Sequence, residues 1–289
     1  MRVAVIGSTG QLGQDLMRVF REEAVGFTHQ DLDVTDGVGV ASVMHSLRPN
    51  WVLNTAAFHR VDDCEINPTS AFAVNALGAL NVARAAATVG AGVVFFSTDY
   101  VFGGQDRKPG HPYEEGDNLH PLNVYGASKV AGEQLVVQAN ARHIVVRSAG
   151  LYGTATSRKG WTFPELMLNK ARTEGSVSVV TDQVLSPTFT ADLAHKTREL
   201  VEQDAAGLFH LTNAGECSWF EFAQGAFDLA GVKVEMEPIQ TGQTHRRARR
   251  PSYSALTTAR LEEVGLSPLR PWREALSDYL RARGITRRQ

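Results

Sequence analysis

Short apolar runs alternate with longer amphipathic stretches through the first half of the chain. The runs Arg2–Ile6, Ala24–Thr28, Trp51–Asn54, Gly92–Phe96 and His143–Arg147 are brief and bounded by polar or glycine residues. Such runs read as strands buried on both faces. Between them the pattern turns helical, from Gly13 to about Glu23 and again from about Pro68 to Val89. Strands alternating with helices predict an α/β fold with a doubly wound parallel sheet. After Gly153 the alternation loosens. A polar loop is expected at 154–160 and a helix near 162–173. A strand at 177–180 and a Pro187-containing loop at 182–190 follow. Then come a helix at 191–203, a strand at 207–211 and a helix at 219–230. Residues 1–150 are therefore expected to form mainly one domain. Residues 151–289 would form mainly a smaller, interleaved one, with segments near 181–215 returning to the first.

The first strand runs straight into Gly7-x-x-Gly10-x-x-Gly13 and a helix. Glycines there permit a tight turn and close backbone approach to a pyrophosphate seated on the helix N-terminus. In that context the loop predicts dinucleotide binding on a Rossmann-like sheet. The second strand ends in Thr28 and His29, where such folds often carry an acid for the ribose 2′-hydroxyl. Without that acid a 2′-phosphate is tolerated, which points to NADPH, with NADH the alternative. Asp33 serves either the adenine amino group or a turn before the next helix. Small residues Ala56 and Ala57 after the third strand leave room for a flat cofactor.

Composition narrows the classes. A hydrophobic content of 43% and a charged content of 21% are ordinary for a globular protein. A net charge of −2 gives no global attraction to nucleic acid or to membranes. No apolar run reaches a membrane-spanning length, and no signal peptide precedes the first strand, so a cytoplasmic protein is expected. Cys64 and Cys217 stand far apart without metal-ligand spacing, and no metal is expected.

Chemistry is expected beyond the carboxyl ends of the strands, which places Ser97, Thr98 and Asp99 well. Thr98 is positioned either to hydrogen-bond a substrate carbonyl or to cap a turn. A Gly-, Pro- and charge-rich flap, 103–121, leads to a helix carrying Tyr125-x-x-x-Lys129. Residues four apart share a helix face. A nearby ammonium lowers a phenol's pKa from about 10, which makes Tyr125 a general acid or base. Asn75 is polar in an apolar helix, as either a core amide or a functional group. Arg246, Arg247, Arg249 and Arg250 form a basic cluster, suited to a diphosphate or simply to solvent. The tail arginines, Arg281 to Arg288, read as a frayed end.

Gly7-x-x-Gly10-x-x-Gly13, Asn54-Thr55-Ala56-Ala57, Ser97 through Phe102 and Tyr125-x-x-x-Lys129 together resemble the extended short-chain dehydrogenase/reductase superfamily. Within it the chain is similar to the dTDP-4-dehydrorhamnose reductases. That likeness continues through Pro121–Gly126, Asp182–Thr188 and Arg250–Leu256. It implies reduction of the 4-keto group of a nucleotide-linked deoxysugar by a Thr98, Tyr125, Lys129 triad. Tyr125 would protonate the keto oxygen. Lys129 would hold the nicotinamide ribose and lower the Tyr125 pKa, and Thr98 would orient the carbonyl. Gly7, Thr9, Gly10, Gln11, Leu12 and Gly13 would bind the pyrophosphate side. Asp33 and Val34 would line the adenine, and Ala56, Ala57 and Ser97 the middle of the cofactor. Asp99, Tyr100, His59 and Arg250 would face the nucleotide sugar, in a monomer or homodimer. His59-Arg60 departs from the small residues usual in the family, and Gly150 from its usual tryptophan. A dehydratase of this superfamily would carry Glu where Tyr100 stands. An epimerase and a non-catalytic NADP-binding regulatory subunit are the alternatives.

Overall fold

The computed structural model describes residues 1–104, 107–155 and 160–286. In chain order its elements are β1 (Val3–Ile6), α1 (Gln11–Phe20), β2 (Ala24–Phe27), α2 (Gly37–Leu47), β3 (Trp51–Asn54), α3 (Val61–Ile66), α4 (Pro68–Phe72), a π-helical turn (Ala73–Gly78), α5 (Ala79–Thr88), β4 (Gly92–Thr98), α6 (Val124–Ala139) and β5 (His143–Ser148). Then follow β6 (Leu151–Tyr152), α7 (Phe163–Glu174), β7 (Ser176–Val180), β8 (Val184–Leu185), β9 (Thr188–Phe189), α8 (Thr190–Glu202), β10 (Gly207–His210), β11 (Asn213–Ala214), β12 (Cys217–Ser218), α9 (Trp219–Ala230), β13 (Glu235–Ile239), α10 (Ala259–Glu263), β14 (Leu269–Pro271) and α11 (Trp272–Ala282).

Six parallel strands form the central sheet in the order β10-β5-β4-β3-β1-β2. Every residue of β1, β3 and β4 is buried, as unbroken apolar runs require of a sheet covered on both faces. Side chains alternate between those faces. Val3 and Val5 meet Leu16 and Phe20 of α1 and Leu193 of α8 on one side. Ala4 and Ile6 meet Val40 and Met44 of α2 and Val82 of α5 on the other. The expected doubly wound α/β sheet is therefore present. Strand order reverses at β1, which opens a crevice between the carboxyl ends of β1 and β3.

Beyond β5, α7, α9 and α11 bury a second core that includes Tyr152, Phe222, Phe227, Leu276 and Tyr279. The parallel pair β7–β13 borders it. Strand β13 gave no signal in the sequence, because its Glu-Met-Glu-Pro-Ile run lies largely at the surface.

Several local expectations change. A short helix, α3, precedes the helix expected at 68–89, which is itself interrupted by the π turn. Residues 182–190 contain β8 and β9, pairs too short to show a period of two. Arg281 and Arg283 are ordered rather than frayed. Arg281 pairs with Asp278 at 3.0 Å, and the Arg283 Nε donates to Glu165 at 2.6 Å. Of the expected polar loop, residues 156–159 lie outside the described residues, as do 105–106 of the flap and 287–289 of the tail. Among the described residues no helix is long and apolar enough to cross a membrane.

Candidate active site

Helix α6 is started by Asn123. Its side-chain oxygen accepts from the Gly126 N–H at 2.8 Å, and its amide donates to the Arg249 carbonyl at 2.9 Å. Such a cap fixes the first turn and the direction of Tyr125 within it. Gly126 has to be glycine, since a Cβ there would fall 2.1 Å from the Tyr100 carbonyl oxygen. The first turn of α6 therefore rests directly on the chain leaving β4. Thr98 ends that strand. Its hydroxyl donates to Asp99 Oδ1 at 2.9 Å, accepts from the Tyr100 N–H at 3.2 Å, and lies near enough to the Tyr125 phenol to favour its ionised form. The Tyr100 ring meets the Tyr125 ring edge-on, with centroids 6.1 Å apart.

Burial dominates the electrostatics here. It pushes the Tyr125 phenol well above its ordinary pKa, with Asp99 adding to the effect and the Thr98 hydrogen bond opposing it. The expected lowering by Lys129 is absent among the leading causes in the free protein. The reason lies in the position of the ammonium. Lys129 is buried, its Nζ sits 3.9 Å from the Phe95 ring centre, and desolvation lowers its own pKa to about 7. Asp99 is pushed up to about 6 by burial, against hydrogen bonds from Ser254 and Thr98. The Ser254 hydroxyl donates to its Oδ2 at 2.6 Å.

Asn75 lies in the π turn and is fully buried. Its oxygen accepts from the Phe58 N–H at 2.8 Å, and its amide donates to the Phe58 carbonyl at 3.0 Å and to Ser128 Oγ at 2.9 Å. Ser128 donates in turn to the Tyr125 carbonyl at 2.7 Å. Asn75 thus ties the chain after β3 to the first turns of α6. Ser97, expected against the cofactor, donates its hydroxyl to Glu133 on α6 at 2.5 Å.

The glycine loop forms a close cradle. Gly7 has φ +80°, and a Cβ on Gly13 would lie 2.2 Å from the Gly7 carbonyl oxygen. No side chain caps the N-terminus of α1, so the polar groups of that end remain available beside Thr9, Gly10, Gln11 and Leu12. The Thr55 hydroxyl donates to the Ile6 carbonyl at 2.7 Å and locks the end of β3, next to Ala56 and Ala57, onto the loop. These features fit a dinucleotide pyrophosphate. Asp33 is exposed and accepts from the Thr35 N–H at 2.9 Å, so its turn role is realised, while Val34 is buried beside Gly78. The end of β2 is not free of acid. Asp31 folds back to accept from the Thr28 N–H at 2.8 Å and its hydroxyl at 2.7 Å.

On the opposite rim the Arg250 guanidinium lies 6.0 Å from the Tyr100 ring centre and donates to Asp62 Oδ2 at 3.0 Å. Burial raises the Asp62 pKa, but the Ala248 N–H, Arg250 and Arg246 together outweigh it and hold the carboxylate ionised. Arg246, Arg247 and Arg249 are exposed. His59 is exposed, with Nδ1 3.4 Å from the Ala57 carbonyl oxygen. Gly150 has φ +51°, and a Cβ there would meet Leu185 at 2.5 Å and the Trp219 ring at 3.6 Å. An indole from α9 thus borders the position where the family's tryptophan is missing. Asn75, Thr55 and Trp219 escaped clear assignment from sequence, because their partners are distant along the chain.

Two curated relatives align over almost the whole chain. A dTDP-4-dehydrorhamnose reductase of Mycolicibacterium smegmatis is 38% identical, covering 97% of this chain and 85% of the relative. A dTDP-4-keto-6-deoxy-D-glucose reductase of Streptomyces niveus is 37% identical, covering 96% and 95%. The crystal structure of a Bacillus anthracis dTDP-4-dehydrorhamnose reductase in complex with NADP superposes with a TM-score of 0.92 at 37% identity, covering 97% of this chain and 99% of that one. The family model described as RmlD substrate binding domain matches residues 1–284. With its Thr98–Tyr125 pair at the end of β4 and its glycine cradle at the end of β1, the chain belongs to the RmlD substrate-binding-domain family.

Proposed function

We propose that this chain is an NADPH-dependent reductase that converts dTDP-4-dehydro-L-rhamnose to dTDP-L-rhamnose. The observation that carries the reading is the Thr98–Tyr125 hydroxyl pair at the carboxyl end of β4, with Lys129 buried one turn further along α6. Bound NADPH supplies hydride to the carbonyl carbon. Gly7, Gly10 and Gly13 and the N-terminus of α1 would hold its pyrophosphate. Ala56 and Ala57 would lie along its middle, Val34 and Asp33 near the adenine, and Lys129 at the nicotinamide ribose.

The direction of the Tyr125 shift suits this task. A reductase needs a phenol that is still protonated when the carbonyl oxygen gains charge, and burial keeps it so. Thr98, its hydroxyl proton turned from Asp99 to the substrate, would donate a second hydrogen bond to the same oxygen and fix its position. Tyr100 would face the sugar, while Asp99, buried with its oxygens taken by Thr98 and Ser254, would sit behind Thr98 rather than against the substrate. Arg250 with its neighbouring arginines meets the diphosphate, and the Asp62 ion pair holds Arg250 ready in place. Residues 1–150 would serve mainly the cofactor and 151–289 mainly the substrate, with residues near 181–215 rejoining the former, in a cytoplasmic monomer or homodimer.

The test follows NADPH oxidation with dTDP-4-dehydro-L-rhamnose generated in situ. Sugar-dependent oxidation is expected, with Tyr125→Phe slowing it by roughly 10²- to 10⁴-fold while NADPH still binds. Wild-type turnover in Tyr125→Phe would overturn the role of the phenol. A different 4-keto deoxysugar is the second reading. It is favoured by Gly150, by His59, and by the similarity to the Streptomyces niveus reductase named for another sugar. Turnover of that sugar with none of the rhamnose precursor would select it.

A further inference from the structure

Tyr125, Lys129 and Glu133 follow one another at intervals of four along α6 and so share one face. The third of them has no part in the reaction described above. Glu133 is 3% exposed, and both its oxygens are engaged. Ser97 Oγ and Arg147 Nε donate to Oε1 at 2.5 and 3.0 Å, and Arg147 Nη2 donates to Oε2 at 2.7 Å. Arg147 is as deeply buried, on β5. It is steadied from behind by the Glu115 carbonyl, which accepts from Nη1 at 3.4 Å, and by the Phe102 ring at 5.1 Å. His210 on β10 lies 3.4 Å from Nη1 and is held neutral by burial, its pKa lowered to about 3. With its partners so fixed, the carboxylate is held on the face of α6 that carries Lys129, one turn away and equally buried.

We propose that Glu133 is a positioning residue for Lys129: clamped by Ser97 and Arg147, its carboxylate is the counter-charge that keeps an ammonium, rather than an amine, beneath Tyr125. Other titratable groups lie on the elements packed against α6. They are Asp99 and Tyr100 after β4, His143 and Arg147 on β5, and Asp62, Asp63, Cys64 and Glu65 on α3. Arg84 of α5 is exposed. Among all of these, Glu133 alone exerts a resolved charge effect on Lys129, and it opposes the desolvation that lowers the Lys129 pKa to about 7. Arg147, hydrogen-bonded to both oxygens of that carboxylate, moderates its field. Ser97 and the flap residue Glu115 thereby gain a purpose that contact with substrate or cofactor does not give them.

The inference concerns the charge of Lys129, and rests on the reductase reading only for what that charge is used for. The experiment therefore reads the charge directly. Protein labelled with carbon-13 at lysine Cε is titrated by NMR, and the Lys129 signal is assigned by its loss in Lys129→Met. Glu133→Gln should lower the Lys129 midpoint by about one pH unit, because an adjacent anion is lost. Arg147→Met should raise it, because the carboxylate is then unmoderated. Glu133→Gln leaves a buried guanidinium without a partner and threatens folding. The double variant Glu133→Gln/Arg147→Met removes both charges, and should shift the midpoint downward as well. A purely structural pair would weaken thermal stability in every variant and leave the midpoint unmoved, which would overturn the proposal. In turnover, the basic limb of the pH–rate profile should move with the midpoint. Midpoints that move in a protein whose wild type reduces no keto sugar would refute the reductase reading and leave this one standing.

Discussion

Replacing Lys129 by Met exchanges a buried, partly charged amine for an apolar chain of similar length. The folded pKa of about 7 lies below the ordinary 10.5, so between those values the unfolded chain holds more protons. Wild-type stability therefore climbs as pH rises through that window. Below about pH 7 the ammonium is present in both states, and its desolvation cost is fully felt. Lys129→Met should accordingly stabilise the fold, on the order of a few kcal/mol at neutral and lower pH, with the gain fading towards pH 10.5. It should also cut turnover by about a hundredfold or more. Urea melts at several pH values, set beside the rate of NADPH oxidation, check both halves, and a variant less stable than wild type at neutral pH would contradict the burial argument. A second residue bears on the cofactor. Asp31 is an exposed carboxylate held at the end of β2 by Thr28, where a 2′-phosphate would come near. Asp31→Asn should lower the KM for NADPH several-fold and leave that for NADH nearly unchanged. Equal effects on the two cofactors would place Asp31 away from that phosphate.

At the scale of elements, α6 packs tightly against the π turn. A Cβ on Gly132 would lie 2.2 Å from the Asn75 carbonyl oxygen and 2.7 Å from the Phe95 ring. Alanine is the better helix former by about 1 kcal/mol, but the overlap is with backbone and a packed ring, so the clash wins. Gly132→Ala should destabilise by roughly 1–3 kcal/mol. It should also reduce kcat, because Asn75 could no longer tie Phe58 to Ser128. Gly116→Ala, where a Cβ meets nothing within 4 Å, serves as the control. Circular dichroism melts and turnover would show whether the two glycines differ. The same contact shows how far the sequence could be read. Tyr125 and Lys129 stood out because their relation is local, one turn of helix. The glycine loop stood out because strand, loop and helix are contiguous. Asn75 remained open because its partners stand 17 and 53 positions away. Glu133 did not stand out, since Ser97 and Arg147 reach it from β4 and β5. The π turn itself left no mark, because its Ala-Val-Asn-Ala-Leu-Gly composition is as compatible with an α-helix.

Across the whole molecule, segment 252–257 joins the parts that the chain separates. The Val184 N–H donates to the Ser252 carbonyl and the Ser254 N–H to the Val184 carbonyl, each at 2.9 Å. The Tyr113 N–H donates to the Ala255 carbonyl at 2.8 Å, which anchors the flap, and Tyr113 stacks on Phe102 at 4.2 Å. Ser254 then reaches Asp99, beside Thr98, so one hydroxyl links this segment to the reacting end of β4. Ser254→Ala tests that link through its dependence on pH. Burial raises the folded Asp99 pKa to about 6, above the ordinary 3.8. The folded state thus holds more protons between those values, and stability falls as pH rises through that window, then levels off. Loss of the Ser254 donor removes a hydrogen bond that matters most to the ionised carboxylate. The variant should lose about 2 kcal/mol where Asp99 is charged, and distinctly less where it is protonated. Urea unfolding at about pH 8 and about pH 5 measures the difference. Equal losses at the two pH values would mean that the hydroxyl supports the segment's backbone rather than the charge of Asp99. An unequal loss would show that joining segment 252–257 to the sheet and setting the charge beside Thr98 depend on the same bond.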